Sequence, residues 1–305
     1  MKSPSLWQLR LIPTWLGVAC LWLLHWLPLS LLAIIGNALG RLAASVPSKR
    51  RRVVETNLRL CFPDVAEATR RDWMRQTFCA ASRAALEHAI LWWGSAARVR
   101  RLVRIENPEL AHGDGVRPVI WLAPHFVGLD MGGIRLTMDA PLVSIYSRAR
   151  NPVMGKLMLH GRTRFSNSPM FSRHEGVKPV LREIKRGLPF YYLPDQDYGP
   201  RDAIFTPFFG IPTATVSALS RIAKLTKAQV VPVVTRQLPR GQGYVLRCYP
   251  AWDNFPSPDI HADVARMNAF IEERVREMPE QYLWLHRRFK TRPPGAAQLY
   301  DARKK

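Results

Sequence analysis

The residues best placed to do chemistry lie in the stretch PVIWLAPHFVGLDMGG, where an apolar, strand-like run ends at Ala123, Pro124 breaks it, and His125 opens a segment that carries Asp130. The ends of buried strands are where α/β folds place their sites. A histidine titrating near neutrality can take the proton of a hydroxyl, and a carboxylate held against its other ring nitrogen fixes the tautomer and stabilises the imidazolium that forms. A spacing of five residues permits such a contact across a loop-to-helix turn, so His125 reads as a general base and Asp130 as its partner. The H-x4-[DE] pattern alone is weak, because a chain with eight histidines meets it by accident with appreciable frequency. The strand-end position and the small Gly128, Gly132 and Gly133 nearby strengthen it.

Two further groups could bind a charged or hydroxylated substrate. In YSRARNPVMGKLMLHGRTRF, Arg148, Arg150, Arg162 and Arg164 bracket a predicted helix, and guanidinium groups grip phosphate or carboxylate with two parallel hydrogen bonds. A solvated basic helix accounts for any single one of these arginines equally well. In YLPDQDYGPR, Asp195 and Asp197 follow another apolar strand, where paired acids bind a metal, orient sugar hydroxyls or simply shape a turn. A G-x-S-x-G elbow, a Walker A loop, H-E-x-x-H and G-x-G-x-x-G are all missing, which disfavours serine hydrolases and nucleotide-driven enzymes.

The elements that must position these residues alternate between strand-like PVIWLA, PLVSIYS, LPFYYLP and QVVPVVTRQ and intervening helical stretches, one of them predicted over 213–226, the pattern of an α/β domain. PRGQGY reads as a hairpin turn before YVLRCYP, so the sheet is expected to be mixed and mostly parallel, flanked by helices. Residues 65–93 read as one long helix followed by the basic Arg98, Arg100, Arg101 and Arg104, and Val264, Met267, Ile271, Val275 and Met278 form the buried stripe of a late helix. Four cysteines without C-x-x-C spacing suggest neither a zinc site nor a disulfide framework.

The amino terminus is of another kind. From Leu11 to Leu39 there is no Asp, Glu, Lys or Arg, and Trp7, Trp15, Trp22 and Trp26 sit in or beside the run. About 20 apolar residues span the hydrocarbon of a bilayer, and tryptophan favours its interface. Residues 1–45 are therefore expected to be a membrane anchor, either a spanning helix or, given His25 and Pro28, a kinked hairpin that dips in and returns. Lys2 and Arg10 precede the run while Arg41, Lys49, Arg50, Arg51 and Arg52 follow it, which places residues 46–305 on the cytoplasmic side. With 45 Lys+Arg against 23 Asp+Glu, the net charge of +22 calls for an anionic partner: a membrane surface, an acidic carrier protein or nucleic acid.

Taken together, the amino-terminal apolar run, ETNLRLCFPD, APHFVGLD, the NP and GRTRF stretch, LPDQDYGPR, PFFGIPT and PEQYLWLHRRFKTRPPG resemble, in the same order, the late acyltransferases of lipid A biosynthesis within the H-x4-[DE] acyltransferase group. The resemblance implies a glycerolipid-acyltransferase-like fold and the transfer of a fatty acyl chain from an acyl carrier protein to a hydroxyl of a lipid A precursor at the bacterial inner membrane, with no cofactor and no metal. It also implies His125 and Asp130 as the catalytic pair, and Arg148, Asn151, Arg164, Asp195, Asp197, Pro212 and Thr213 as substrate-binding residues. Arg287, Arg288 and Lys290 fall in its basic carboxy-terminal signature without a specified role. Two other readings stay open: an acyltransferase for another phospholipid or glycolipid, and a non-enzymatic basic membrane-associated protein. No nucleic-acid-binding motif supports a nucleic-acid partner.

Overall fold

The computed structural model describes residues 6, 8–201 and 203–300. The chain begins with α1 (Ile12–Leu24), α2 (Leu29–Ser45), α3 (Lys49–Cys61), α4 (Glu67–Trp93) and α5 (Ala96–Leu102), then enters β1 (Val103–Glu106) and β2 (Val119–Leu122). It continues through α6 (Leu129–Thr137), β3 (Val143–Tyr146), α7 (Pro152–Thr163), β4 (Met170–Ser172), α8 (Lys178–Lys185) and β5 (Phe190–Tyr192). A hairpin of β6 (Ala203–Phe208) and β7 (Ile211–Val216) precedes α9 (Ala218–Thr226), β8 (Gln229–Gln237), β9 (Tyr244–Cys248) and α10 (Ile260–Glu277).

The sheet has seven strands in the order β1-β9-β8-β2-β5-β3-β4. Strands β8, β2, β5, β3 and β4 run parallel, while β9 turns back antiparallel to β8 and β1 follows β9. Parallel strands are covered on both faces by their crossover helices. The pleat sends Ile120, Leu122 and Phe190 into a core built with α3, α8, α9 and α10, and sends Trp121, Tyr191 and Val231 to the opposite core with α2, α4 and α6. The expected stripe of α10 is buried as read, from Val264 at 1% exposure to Met278 at 5%.

One expectation is corrected, and of the two readings of the amino-terminal run one is set aside. The helix read over 213–226 starts only at Ala218, because the alternating β-branched residues Ile211, Thr213 and Thr215 pair with β6 and close a hairpin through Phe209 and Gly210, both at positive φ. The uncharged run Leu11–Leu39 is not one membrane helix: α1 has 13 residues and α2 has 17, separated by the turn at His25–Pro28. At about 1.5 Å per residue neither reaches the roughly 30 Å of a bilayer core. Pro28 takes the N-cap of α2, where its lack of an N–H costs nothing, and Arg98 donates to the carbonyls of His25 and Leu27, locking the turn. No single helix among the described residues is long and apolar enough to cross a membrane, although α2 and α3, bent by 88°, pass together by length and composition. Trp7 and Lys2 lie outside the described residues.

Helix α2 instead lies along α4. Its face of Ala33, Gly36, Gly40 and Ala44 is buried, and a methyl group added at Gly40 would sit 2.3 Å from the Cα of Cys79. The opposite face is apolar yet exposed, with Ile34 62% and Leu42 63% accessible, and α1 adds Leu16 at 67% and Leu23 at 63%.

Candidate active site

The strand register creates the site. Leu122 of β2 pairs with Tyr192 of β5, and the ladder extends one step further through the Ala123 amide to the Tyr192 carbonyl at 2.9 Å. His125 and Asp195 each lie three residues beyond that registered pair, so two neighbouring parallel strands deliver them side by side. His125 Nδ1 is 2.6 Å from Asp195 Oδ1, and the His125 amide donates to Asp195 Oδ2 at 2.9 Å. Asp195 is 2% exposed. Burial alone would raise its carboxyl, but the neighbouring His125 charge, the two hydrogen bonds from His125 and the positive Arg288 together hold it below the ordinary carboxylate value. A carboxylate on Nδ1 leaves Nε2 for a substrate proton.

Asp130, expected against the His125 ring, is elsewhere. It opens α6 and accepts from Arg162 Nε at 3.0 Å and from the same guanidinium's Nη2 at 2.8 Å, with His88 Nε2 of α4 at 3.2 Å from its other oxygen. Burial opposes its charge, yet Arg162 and His88 outweigh that and keep the carboxyl well below its usual value. For His88 the balance also favours charge: burial lowers its pKa, and Asp130 more than restores it. The physical reason for the different pairing is helical geometry. Asp130 sits in the first turn of a helix that leaves the sheet, whereas Asp195 continues the adjacent strand.

His125, Asp130 and Arg162 all line one cavity of about 740 Å³ at the carboxy-terminal ends of β2, β5 and β3. This is the size range of small-ligand sites, roughly 300–1,000 Å³. Much of its wall is apolar, with Ile134, Leu142, Met158 and Ile222 among the lining, and Arg173 and Arg201 are exposed at its border. A histidine base beside a cavity with both apolar and charged walls suits proton removal from a hydroxyl of an amphipathic substrate.

The sequence model of bacterial lipid A biosynthesis acyltransferases matches residues 1–291. The chain belongs to this family. It is 34% identical over 301 residues to the lipid A biosynthesis lauroyltransferase of Escherichia coli K12, covering 98% of both chains. Similarity to the palmitoleoyltransferase of the same organism is 32% over 94% of both chains, and to its myristoyltransferase 30% over 98% of this chain and 92% of that one. The solved structure of the 1-acyl-sn-glycerophosphate acyltransferase PlsC from Thermotoga maritima overlays with a TM-score of 0.38 at 16% identity, covering 81% of this chain and 97% of that chain.

In this lipid A acyltransferase the remaining expected residues divide between rim and scaffold. Arg148 is exposed in the loop after β3, and Asn151 caps α7 through the amides of Val153 and Met154 while donating to Thr14 of α1 at 2.8 Å. Arg164 does not face the cavity: its guanidinium donates to the Leu91 and Gly94 carbonyls at 2.8 and 2.6 Å, closing the carboxy-terminal end of α4, and lies near the Phe165 ring. Asp197 accepts from the Thr291 amide and hydroxyl and from the Gly199 amide, so it clamps the carboxy-terminal segment. Thr213 is fully buried with its hydroxyl on the Ile211 carbonyl, and exposed Pro212 offers its carbonyl to Arg292.

The basic carboxy-terminal signature is structural in the same sense. Arg288, 2% exposed, donates to the Ala214 carbonyl and Thr215 hydroxyl and stacks near Phe208, while Arg287 lies over Tyr300 and Lys290 approaches the Asp197 carbonyl at 3.3 Å. The segment docks beneath the site, since the His125 carbonyl accepts from the Leu283 amide at 3.0 Å and Val127 donates to the Gln281 carbonyl at 2.9 Å. His88 carries no sequence signal, lying mid-helix 42 residues before Asp130. Arg162 was one of four arginines in its stretch; a position two residues before Arg164, in the last turn of α7, turns it toward the cavity.

Proposed function

We propose that His125 and Asp195 form the catalytic dyad of a reaction that moves a fatty acyl chain from a thioester of an acyl carrier protein to a hydroxyl of a lipid A precursor. The 2.6 Å contact between His125 Nδ1 and Asp195 at the head of the cavity carries this reading. His125 Nε2 takes the hydroxyl proton as the oxygen attacks the thioester carbonyl, and Asp195 stabilises the imidazolium. The tetrahedral oxyanion then collapses, the C–S bond breaks, and the departing thiolate takes the proton back from His125, leaving ester and free thiol. Arg162, fixed on the cavity wall by Asp130, supplies a cationic donor for the oxyanion or for an acceptor phosphate. Asp130 thus acts through Arg162 as a positioning residue.

Support for the carrier as donor comes from the charge of +22, which attracts an acidic protein, and the same charge suits an anionic inner membrane with the catalytic domain on its cytoplasmic face. The experiment is acyl transfer from acyl carrier protein to purified precursor by wild type and His125→Ala. A loss of about 10²- to 10⁴-fold in kcat with an unchanged melting profile is expected. Turnover within a few-fold of wild type would remove His125 from the chemistry.

A further inference from the structure

Arg162 can act on an anion in the cavity only with the part of its charge that Asp130 does not take. Both of its hydrogen bonds to that carboxylate, 3.0 Å from Nε and 2.8 Å from Nη2, end on Oδ1. The other oxygen, Oδ2, faces the His88 ring of α4 at 3.2 Å. Asp130 is thus shared between two neighbours, and the state of the second decides how much of Arg162 is left for substrate.

The protonation of His88 follows from what its two nitrogens face. Nδ1 is 2.6 Å from the Ala84 carbonyl, one turn back on α4, and a carbonyl oxygen only accepts. Nε2 faces Asp130, which stays ionised despite its burial because Arg162 lies beside it, and which therefore also only accepts. Each ring nitrogen carries a hydrogen, and the ring is the imidazolium. Losing either proton leaves a lone pair against an oxygen. One carboxylate then lies between two cations, so the cluster keeps a net positive charge on the cavity wall.

The other groups around the ring do not replace it. Asp130 comes from α6 and Arg162 from α7, while Tyr191 of β5, beside the same pair, donates to the Leu129 carbonyl and is pushed by burial far above the ordinary 10. Glu87, the preceding residue of α4, is occupied elsewhere: it accepts from the Tyr244 hydroxyl of β9 and lies 3.7 Å from Arg83. His88 is left as the group of the cluster that titrates near neutrality. Burial pulls its pKa down, and the hydrogen bond and charge of Asp130 carry it above the ordinary 6.5.

We infer that His88 is a positioning residue whose imidazolium holds Asp130 by Oδ2, so that Arg162 faces the cavity with most of its charge free, and that loss of the ring proton releases this hold. Deprotonation sets a lone pair against Oδ2 or against Ala84; the ring withdraws, the carboxylate turns, and Arg162 becomes the sole cation on Asp130. Transfer therefore falls as pH rises through the pKa of His88. This rests on the acyl-transfer reading above, and the test separates the two.

Wild type, His88→Gln and His88→Leu are compared by kcat/KM for the lipid A precursor, at saturating acyl carrier protein thioester, from about pH 6 to about pH 9, the range over which a histidine changes charge. Groups on the substrates titrate alike with all three proteins. Wild type should fall about tenfold on the alkaline side, the size of loss a misplaced binding group gives. The amide of His88→Gln still donates to Oδ2 but does not titrate, so this variant should be about threefold slower than wild type at neutral pH, flat on the alkaline side, and faster than wild type at its upper end. His88→Leu should be about tenfold slower at neutral pH and equally flat; should it lose its cooperative melt, His88→Gln carries the comparison. A role in folding alone would lower melting temperatures without making the curves cross. Histidine-ring NMR of wild type in detergent, with the His88 signal identified by its loss in His88→Gln, should show a ring still charged at pH 6.5 that becomes easier to deprotonate in Asp130→Asn. An alkaline fall retained by His88→Gln, no such fall in wild type, or a wild-type ring neutral at pH 6.5 would overturn the assignment. Absence of transfer by wild type at every pH, with the ring charged as expected, would instead overturn the acyl-transfer reading and leave the charged cluster supported.

Discussion

At the residue scale, the two carboxylates near the site are assigned opposite tasks by their neighbours. Asp195→Asn keeps the shape beside His125 Nδ1 but removes the charge that stabilises the imidazolium, and is expected to lower kcat by about 10²- to 10⁴-fold with little change in melting. Asp130→Asn unpins Arg162 and His88, so its larger signature is in stability, about 1.5–3 kcal/mol for a hydrogen-bonded charge, together with a raised acceptor KM. Equal kcat losses without a stability difference would show that both act on the chemistry. His125 was legible from its strand-end position because a strand's end is a local property. Its partner was not: Asp195 lies 70 residues away and is identified only by the β2–β5 register.

One component of the pH response belongs to His286, opposed by His88, whose raised pKa favours the fold as pH falls. The His286 Nε2 accepts from the Asp197 amide at 3.0 Å, a bond only the neutral ring can make, and burial first, then Arg288 and His125, push its pKa from the ordinary 6.5 down to about 4. Between those values the unfolded chain binds a proton that the folded chain refuses, so stability falls as pH drops from 6.5 toward 4. The full shift corresponds to about 3 kcal/mol. Denaturant midpoints in detergent should show this slope in wild type and a flatter one in His286→Gln; parallel curves would place the acid sensitivity elsewhere.

At the scale of elements, the close contact of α2 with α4 depends on glycine. Gly40→Ala forces a methyl to within 2.3 Å of the Cys79 Cα and should cost about 1–3 kcal/mol, read as a lowered melting temperature, whereas Gly17→Ala in α1, with nothing near its Cβ position, should not. Equal melting temperatures would mean that α2 is not seated as described. Arg164→Lys belongs here too: because both nitrogens of its fork close the end of α4, the substitution should lower stability by about 1 kcal/mol and leave the acceptor KM unchanged. A rise in KM at constant stability would return Arg164 to the substrate. The alternation of strands and helices, the β8–β9 turn and the α10 stripe were legible because each is a periodic, local signal. In the amino-terminal run the break at Pro28 was legible as one of two readings, whereas Arg98, which locks the turn from 71 residues beyond Leu27, was not.

At the scale of the whole molecule, the proposed membrane attachment has two components that salt separates. One is the net charge of +22, whose attraction to anionic lipid fades as the screening length falls to about 3 Å at 1 M salt. The other is the outward face of α1 and α2, where Leu23 at 63%, Trp26 at 68% and Ile34 at 62% exposure form part of a large apolar surface that water covers poorly. Burying each such side chain is worth about 1.5–3 kcal/mol and does not depend on salt. Two short helices lying against the domain favour insertion of that face into one leaflet rather than a crossing. The triple variant Leu23→Asp, Trp26→Asp, Ile34→Asp should therefore bind vesicles containing anionic lipid at low salt but release at 1 M, with high-salt affinity lowered by more than about a thousandfold. Wild type should float with the vesicles under both conditions. If the triple variant also floats at high salt, the apolar face of α1 and α2 is not the anchor, and the bent α2–α3 pair becomes the element to delete next.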